Sequence, residues 1–466
     1  MDAGSPLSFD VVPVPTPNGG PRAVELVPAP DPWHVARRLA HLPHLLFLDS
    51  AEQHAERGRY SYVMADPASI ATDFGVARQV LAGNRGEPIP GLPPFQGGYA
   101  GLFGYGLGRR FERIPEPRHD EFRTPEVTLG RYDWVVSFDH HENRAWAVSS
   151  RRTEISPEQR ADALRSPGLD LEQRADALRS PDTELCPQFA LPGFPGVTSN
   201  FDRAGYEATV RRAVEYVHAG DIFQVNLSQR LLAPLREHPL ELYGRLRTLN
   251  PAPFAAYFDA GDFQILSASP ERFLRVNPGG EVETRPIKGT RPRGATPELD
   301  AALVHDLVTN PKDRAENVMI VDLLRNDIGK VCEYGSVRVP RVCELETFRF
   351  VHHLVSEVRG QLRPSVGPFD LLRGAFPGGS VTGAPKVRAM EIIAELEPTA
   401  RGPYCGCLGW IGFDGAMDTN ILIRTFTAGR GWVQFPVGGG IVADSDPSRE
   451  YEETLHKAAG LLRALG

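Results

Sequence analysis

Two stretches of the chain place a carboxylic acid and an amine where folding would bring them together. Ser269-Pro-Glu271-Arg-Phe273 and Arg285-Pro-Ile-Lys288-Gly289-Thr290-Arg291 flank a hairpin with Asn277-Pro-Gly-Gly280 at its tip. The hairpin sets Glu271 and Lys288 on neighbouring strands. Two readings of that pair stand side by side: a salt bridge, or an acid and a nucleophile whose pKa values burial has tuned. To act as a nucleophile the amine must lose water or lie near other cations, and Arg285 and Arg291 are close in sequence. Only five of the 51 basic residues are lysine (Lys288, Lys312, Lys330, Lys386 and Lys457), and none precedes position 288. Arginine serves wherever a generic positive charge is enough, so a lysine here marks a titratable amine or a compact ammonium. Lys330 and Lys457 read as solvated surface, whereas Lys288 and Lys386 lie inside dense motifs and take the sharper reading.

Acidic pairs recur at two helix starts. Asn310-Pro311 supplies an N-cap and a first helical residue, and Asp313 and Glu316 follow as i,i+3 neighbours on one face. Asp446-Pro447 repeats the device with Glu450 and Glu453. Carboxylates in a first turn complement the helix dipole whatever else they do. Two such pairs facing each other would also suit Mg²⁺, a hard ion satisfied by a few carboxylates, water and a substrate oxygen. Two glycine-rich stretches suit anions. Pro377-Gly-Gly-Ser380-Val-Thr382-Gly-Ala-Pro-Lys386 leads into a helical pattern over 387–396. Free N–H groups there, with the Ser380 and Thr382 hydroxyls, would hold a carboxylate or phosphate. It is not a P-loop, because Ala384-Pro385 separates glycine from lysine and no Ser or Thr follows. Val437-Gly438-Gly439-Gly440-Ile441 is either a tight strand turn or a place where bare backbone approaches a ligand.

The elements that must position these groups are legible in outline. The chain has 466 residues, 41% hydrophobic and 24% charged, enough for one large domain or several small ones. A net charge of -8 offers no basic field to nucleic acid or anionic lipid, so a bound anion needs a local site. The scattered Cys186, Cys332, Cys343, Cys405 and Cys407 read as reduced buried thiols. No leader pattern or long apolar run appears, so a cytoplasmic protein without a membrane span is expected. Residues 1–150 read as strands and hairpins. Leu45–Ser50 and Arg59–Met64 flank a polar turn, and Tyr132–Phe138 and Arg144–Val148 flank Asp139-His-His-Glu-Asn143, itself a polar turn rather than a metal cluster. The ten residues from Glu158 to Pro167 recur unchanged from Glu172 to Pro181. This duplication over 158–181 divides an N-terminal half, 1–195, from a C-terminal half, 196–466. Beyond it, Arg203–Ala219 carries a helical apolar stripe. Ile222–Leu231 alternates as a strand, with Phe223, Val225 and Leu227 on one face and Gln224, Asn226 and Ser228 on the other. That polar face meets solvent or lines a polar site.

Taken together, Gly220–Arg230, Ser269–Phe273, Pro286–Arg293, Asp313–Gly329, His352–Ser356, Pro377–Met390, Asp418–Arg424 and Gly438–Glu453 resemble the chorismate-utilising enzymes. That family includes the first components of anthranilate and aminodeoxychorismate synthase and the isochorismate and salicylate synthases. The match spans essentially all of 200–466 and is looser before that. The resemblance implies an α/β (α+β) fold with two large antiparallel sheets packed face to face, helices outside and the halves interwoven. It implies Mg²⁺ bridging the substrate's ring carboxylate to Glu316 and Glu453, with Asp313 and Glu450 supporting through water. It also implies a chorismate pocket lined by Gln224, Thr290, His353, Ser380, Thr382, Tyr404, Arg424, Gly438, Gly439 and Gly440, with Arg424 clamping a carboxylate.

Two positions choose within the family. The isochorismate and salicylate branch carries a water-activating lysine where this chain has Gln224, and an amide cannot deprotonate water at neutral pH. Anthranilate synthases read Pro-Ile-Ala-Gly-Thr; Pro-Ile-Lys288-Gly-Thr resembles the aminodeoxychorismate synthases. There the lysine adds at C2 as the C4 hydroxyl leaves, and ammonia then enters at C4. Glu271 would protonate the leaving hydroxyl. No cysteine sits in the G-x-C-x-G setting of a glutaminase, so a separate glutamine amidotransferase subunit is implied as the ammonia source. Leu46-Phe-Leu-Asp-Ser50 resembles the family's tryptophan pocket; its departure from the usual Leu-Leu-Glu-Ser argues against feedback inhibition and leaves a structurally bound tryptophan open. The expectation is therefore conversion of chorismate and ammonia to 4-amino-4-deoxychorismate for p-aminobenzoate and folate synthesis. The alternatives are an anthranilate synthase component and a non-catalytic subunit that binds chorismate or tryptophan.

Overall fold

The computed structural model describes residues 7–16, 20–52, 57–83, 86–150, 153–165 and 184–466. The described residues form a 14-stranded and a 10-stranded sheet. The larger sheet runs from the N-terminal strands through Leu46–Asp49 to Phe254–Asp259, then by way of Thr425–Gly429 and Trp432–Ile441 to Gln224–Pro234. Its two halves join where Leu46–Asp49 pairs antiparallel with Phe254–Asp259. In the smaller sheet, Gly98–Phe103 pairs with Cys407–Gly412. Strands from before residue 150 and after 250 thus share both sheets.

The sheets face each other across an apolar layer. Tyr62, Val135, Trp146, Phe258 and Ile265 from the larger sheet meet Ala100, Leu102, Leu408 and Trp410 from the smaller. Helices cover the outer faces. Pro32–Leu39, Pro239–Leu249 and Pro447–Leu465 pack on the larger sheet, and Pro311–Gly329 and Pro368–Ala375 on the smaller. With both faces covered, strands such as Trp134–Asp139 are buried along their whole length.

Local signals translated directly. Asn310 caps the helix Pro311–Gly329 by accepting from the Asp313 N–H, and Asp446 caps Pro447–Leu465 by accepting from Arg449 N–H. The helix Arg203–His218 and the hairpin Trp134–Asp139/Arg144–Ser149 form as read, although Tyr132 ends a preceding strand. Asp139 in the hairpin turn is held by Arg59 and accepts from the His141 and Glu142 N–H groups. All five cysteines are buried and unpaired. No helix among the described residues is long and apolar enough to cross a membrane. Of the duplicated segment, only 158–165 is described, all but the first residue of helix Pro157–Arg165; the second copy lies outside the described residues.

One reading needs correction, that of Phe223, and two open alternatives are decided. Val437–Ile441 is the interior of strand Trp432–Ile441, paired residue for residue with Gln224–Pro234, and not a turn. Phe223 does not share a buried face with Val225 and Leu227; it precedes the strand and is 69% exposed. The polar face of Gln224–Pro234 does not meet solvent, and Gln224, Asn226 and Ser228 are all buried.

Candidate functional site

Glu271 and Lys288 lie within electrostatic reach of each other, but not as cross-strand partners. Arg272–Val276 pairs with Glu281–Thr284, while Ile287–Pro292 continues along Val351–Gln361 beyond a break at Arg285-Pro286. Pro286 has no N–H for the ladder, and the Ile287 N–H that follows is turned to Glu271. Glu271 is buried; its carboxyl accepts from Ser380 Oγ at 2.9 Å and from the Ile287 backbone N–H. Burial pushes its pKa up to about 7, against the opposing pull of Ser380, Lys288 and Arg57. Lys288 is half-buried and forms no hydrogen bond or ion pair among the described residues. Loss of solvent holds its amine below the ordinary lysine range, while Glu316 and Glu271 pull the other way.

The cation that adds to this lowering is Lys457, not a neighbouring arginine. Arg285 is paired with Glu346 and Glu357, and Arg291 with Asp306 at 2.6 Å and Asp313 at 3.0 Å. Lys457, read as solvated surface, donates to Glu453 at 2.7 Å and to the Gly438 carbonyl at 2.9 Å. Its spacing of four residues from Glu453 on one helix was the available signal. Lys386 took the sharper reading and is instead structural: its ammonium sits 2.5 Å from the buried Asp327 and donates to the Ala375 carbonyl at 2.6 Å.

The first acidic pair lies on helix Pro311–Gly329 and the second on Pro447–Leu465. Burial raises Glu316, with Asp313 and Glu453 adding to it, so the two helices bring Glu316 and Glu453 within electrostatic reach. Burial also raises Glu453, but Lys457, Lys288 and Lys312 outweigh it and leave its pKa lowered. Glu450 is buried; one oxygen accepts from Ser445 at 2.7 Å, and Oε2 has no hydrogen-bond partner. A Cβ on Gly439 would stand 3.2 Å from that oxygen and 3.4 Å from Glu453 Oε1, so a side chain there would crowd the space between them. An orphaned buried carboxylate oxygen with further carboxylates in electrostatic reach is donor chemistry that suits a divalent cation, although among the described residues the four are not gathered into a ready-made ligand group. As drawn the carboxylates are divided among other partners: Asp313 to Arg291 and Glu453 to Lys457.

Gln224, Gly438, Gly439 and Gly440 come together where Trp432–Ile441 pairs with the strand Gln224–Pro234. Gln224 is fully buried, with neither amide atom hydrogen-bonded, and its Nε2 lies where a Cβ on Gly440 would be 2.9 Å away. A side chain on Gly438 would collide with the Leu227 carbonyl. His353 Nδ1 bonds Thr290 Oγ1 at 2.8 Å; burial, Arg424 and Arg57 depress its pKa to about 3, so the ring is neutral. Arg424 adopts φ +52° and makes no side-chain hydrogen bond or ion pair among the described residues. Its neighbours include Glu271, and a desolvated guanidinium without a partner is an anion site in waiting. Tyr404 is buried, which holds its phenol protonated. The expected hydroxyl cradle is not assembled at a helix start. Ser380 lies in the 3-10 turn Gly379–Val381 and donates to Glu271, while Thr382 donates to the Gly378 carbonyl at 2.9 Å. Ser50 lies apart on the larger sheet's side; its hydroxyl donates to the Tyr60 carbonyl at 2.6 Å, and neighbouring Asp49 holds Tyr243 and Arg247.

The chain as a whole is similar to proteins of known name. The family model described as chorismate binding enzyme matches residues 45–463. Aminodeoxychorismate synthase component 1 of Escherichia coli (strain K12) is 40% identical over 454 residues, covering 92% of this chain and 94% of the relative. Anthranilate synthase component 1 of Thermus thermophilus is 44% identical over 391 residues, covering 81% and 79%. Among solved structures, anthranilate synthase component I from Streptococcus pneumoniae superposes with a TM-score of 0.73 at 32% identity, covering 88% of this chain and 93% of that one.

Proposed function

The chain belongs to the chorismate binding enzymes, and on that premise we propose that it aminates chorismate at C4, forming 4-amino-4-deoxychorismate. The observation that carries this reading is Lys288, a half-buried amine without a hydrogen-bond partner, held beside an acid whose pKa is about 7. An amine depressed toward its neutral form and a carboxyl raised toward its protonated form are the states a nucleophile and a general acid need. The aminodeoxychorismate synthase relatives at about 40% identity over most of the chain support the same product.

In this reaction Lys288 Nζ forms a bond to C2 while Glu271 gives its proton to the C4 hydroxyl. The hydroxyl leaves as water and the ring double bonds shift. Ammonia then bonds to C4, the double bonds shift back, and the C2–N bond breaks, returning its electron pair to Lys288. The proton shed by the new ammonium group restores Glu271. Arg424 binds a substrate carboxylate, neutral His353 with Thr290 donates a hydrogen bond, and Gln224 orients substrate without activating water. Glu316, Glu453 and Glu450, with Asp313 behind them, would hold Mg²⁺, which when bound neutralises the charge of a ring carboxylate.

Ammonia is delivered by a separate glutamine amidotransferase subunit. Burial pushes the thiols of Cys186, Cys332, Cys405 and Cys407 up, the opposite of an activated glutaminase nucleophile. The test is incubation with chorismate, ammonium salt and Mg²⁺, with the product identified by mass and by conversion to p-aminobenzoate. A fluorescent product with the mass of anthranilate would instead favour the reading carried by the 44%-identical anthranilate synthase relative.

A further inference from the structure

Beside the reacting groups lies a buried ion pair that touches none of them and yet joins the segments that carry them. Glu397 follows the last turn of helix Lys386–Leu396, and Arg401 follows it by four residues; their side chains are 5% and 2% exposed. Arg401 holds Glu397 with a two-pronged contact, Nε to Oε2 at 2.8 Å and Nη2 to Oε1 at 2.6 Å. The guanidinium also donates to the Val381 carbonyl at 3.0 Å and to the Asn226 carbonyl at 2.6 Å. Glu397 in turn accepts from the backbone N–H and hydroxyl of Ser228, at 2.8 and 2.9 Å. The ring centroids of Tyr105 and Tyr404 lie 4.8 and 5.7 Å from the guanidinium carbon.

Three of these contacts fall on or near residues assigned to the site. Val381 follows Ser380, which holds Glu271; Asn226 lies two residues from Gln224 on one strand; Tyr404 lines the pocket. We propose that Glu397–Arg401 is a positioning pair that fixes the distance between the Ser380–Glu271 turn and the Gln224 strand, with Tyr404 packed against its guanidinium. The planar fork is what the role requires. It spends four directed bonds on a carboxylate and two backbone carbonyls, which a lysine ammonium cannot reproduce. The inference rests on those residues serving the reaction, but not on which aminated product the enzyme makes.

The test is Arg401→Lys in the full chain, assayed for whichever product the parent forms, with chorismate affinity measured by calorimetry. A displacement of about 1 Å at the reacting groups costs on the order of a hundredfold, so kcat/KM should fall by about that much while the circular dichroism spectrum is unchanged. Loosening Ser380 removes a bond that lowers the Glu271 pKa, so the alkaline limb of the rate profile should move to higher pH. Parental kcat, KM and pH profile in a folded Arg401→Lys protein would overturn the proposal. If that variant does not fold, Glu397→Gln decides by the same readouts, because the amide oxygen still accepts from Ser228 while the charged fork is lost. A parent that turns nothing over refutes the proposed function; the positioning role is then judged by chorismate affinity, which should weaken in either variant, and unchanged affinity would sink it.

Discussion

Lys457 stands 2.7 Å from Glu453 and on the same acidic cluster that faces Lys288. An ammonium there favours the neutral form of a second amine, because like charges disfavour each other. Replacing Lys457 with Gln removes that repulsion and leaves Glu453 uncompensated, and both effects raise the Lys288 pKa. A nucleophilic amine is active above its pKa, so the ascending limb of the kcat profile should move to higher pH. An ascending limb in Lys457→Gln that coincides with the parent's would show that Lys457 does not act on the nucleophile.

Glu271 carries a stability cost whose sign follows from its raised pKa. The folded state holds the proton more tightly than the unfolded chain, so the group's favourable contribution is complete below the ordinary carboxyl pKa near 4.5 and is lost as pH rises through about 7. At about 1.4 kcal/mol per pKa unit, Glu271→Gln should be more stable than the parent at pH 9 by up to roughly 3 kcal/mol. The gain should vanish near pH 4, and turnover should collapse throughout. Denaturant melts at the two pH values read the difference; a gain independent of pH would contradict the assignment.

Gln224 is buried with an unsatisfied amide, which costs about 1–3 kcal/mol in the free protein. Gln224→Leu should therefore melt at the same temperature as the parent or higher, yet bind chorismate more weakly. A variant that loses stability and keeps affinity would place the amide's partners within the protein instead of on the substrate.

The two acidic pairs should bind Mg²⁺ with chorismate far better than alone, since Lys457 and Arg291 already engage two of the four carboxylates. Calorimetric titration of Mg²⁺ should show weak binding to the free enzyme and at least tenfold tighter binding once chorismate is present. Glu316→Ala should abolish that gain. Equal affinity with and without chorismate would refute the coupling.

What the sequence made legible was the chemistry that is local in the chain. The caps at Asn310 and Asp446, the hairpin at Asp139 and the stripe of Arg203–His218 each depend on residues within one or two turns, and each formed as read. The site's residues were nameable because dense motifs carry them, but their partners were not. Whether Lys457 meets Glu453 or solvent, and whether Lys386 meets a ligand or Asp327, depends on which distant strand or helix packs beside each. The glycine run 438–440 could not be told from a turn, because its function as open strand interior is set by Leu227, Gln224 and Glu450 across the sheet and helix. The hub at Arg401 escaped notice for the same reason, since it satisfies carbonyls 20 and 175 residues away.

The central claim is that Lys288 carries covalent chemistry at C2 and thereby directs ammonia to C4. The measurement that tests it most directly is the product distribution of Lys288→Ala with chorismate, Mg²⁺ and ammonium, resolved by mass. Formation of 4-amino-4-deoxychorismate should fall by about 10³-fold or more, as expected when a nucleophile is removed. Residual amination should shift to C2, the outcome of the anthranilate branch, where alanine occupies this position. An alanine variant that still makes 4-amino-4-deoxychorismate at the parent rate would contradict the account and reduce Lys288 to an electrostatic bystander.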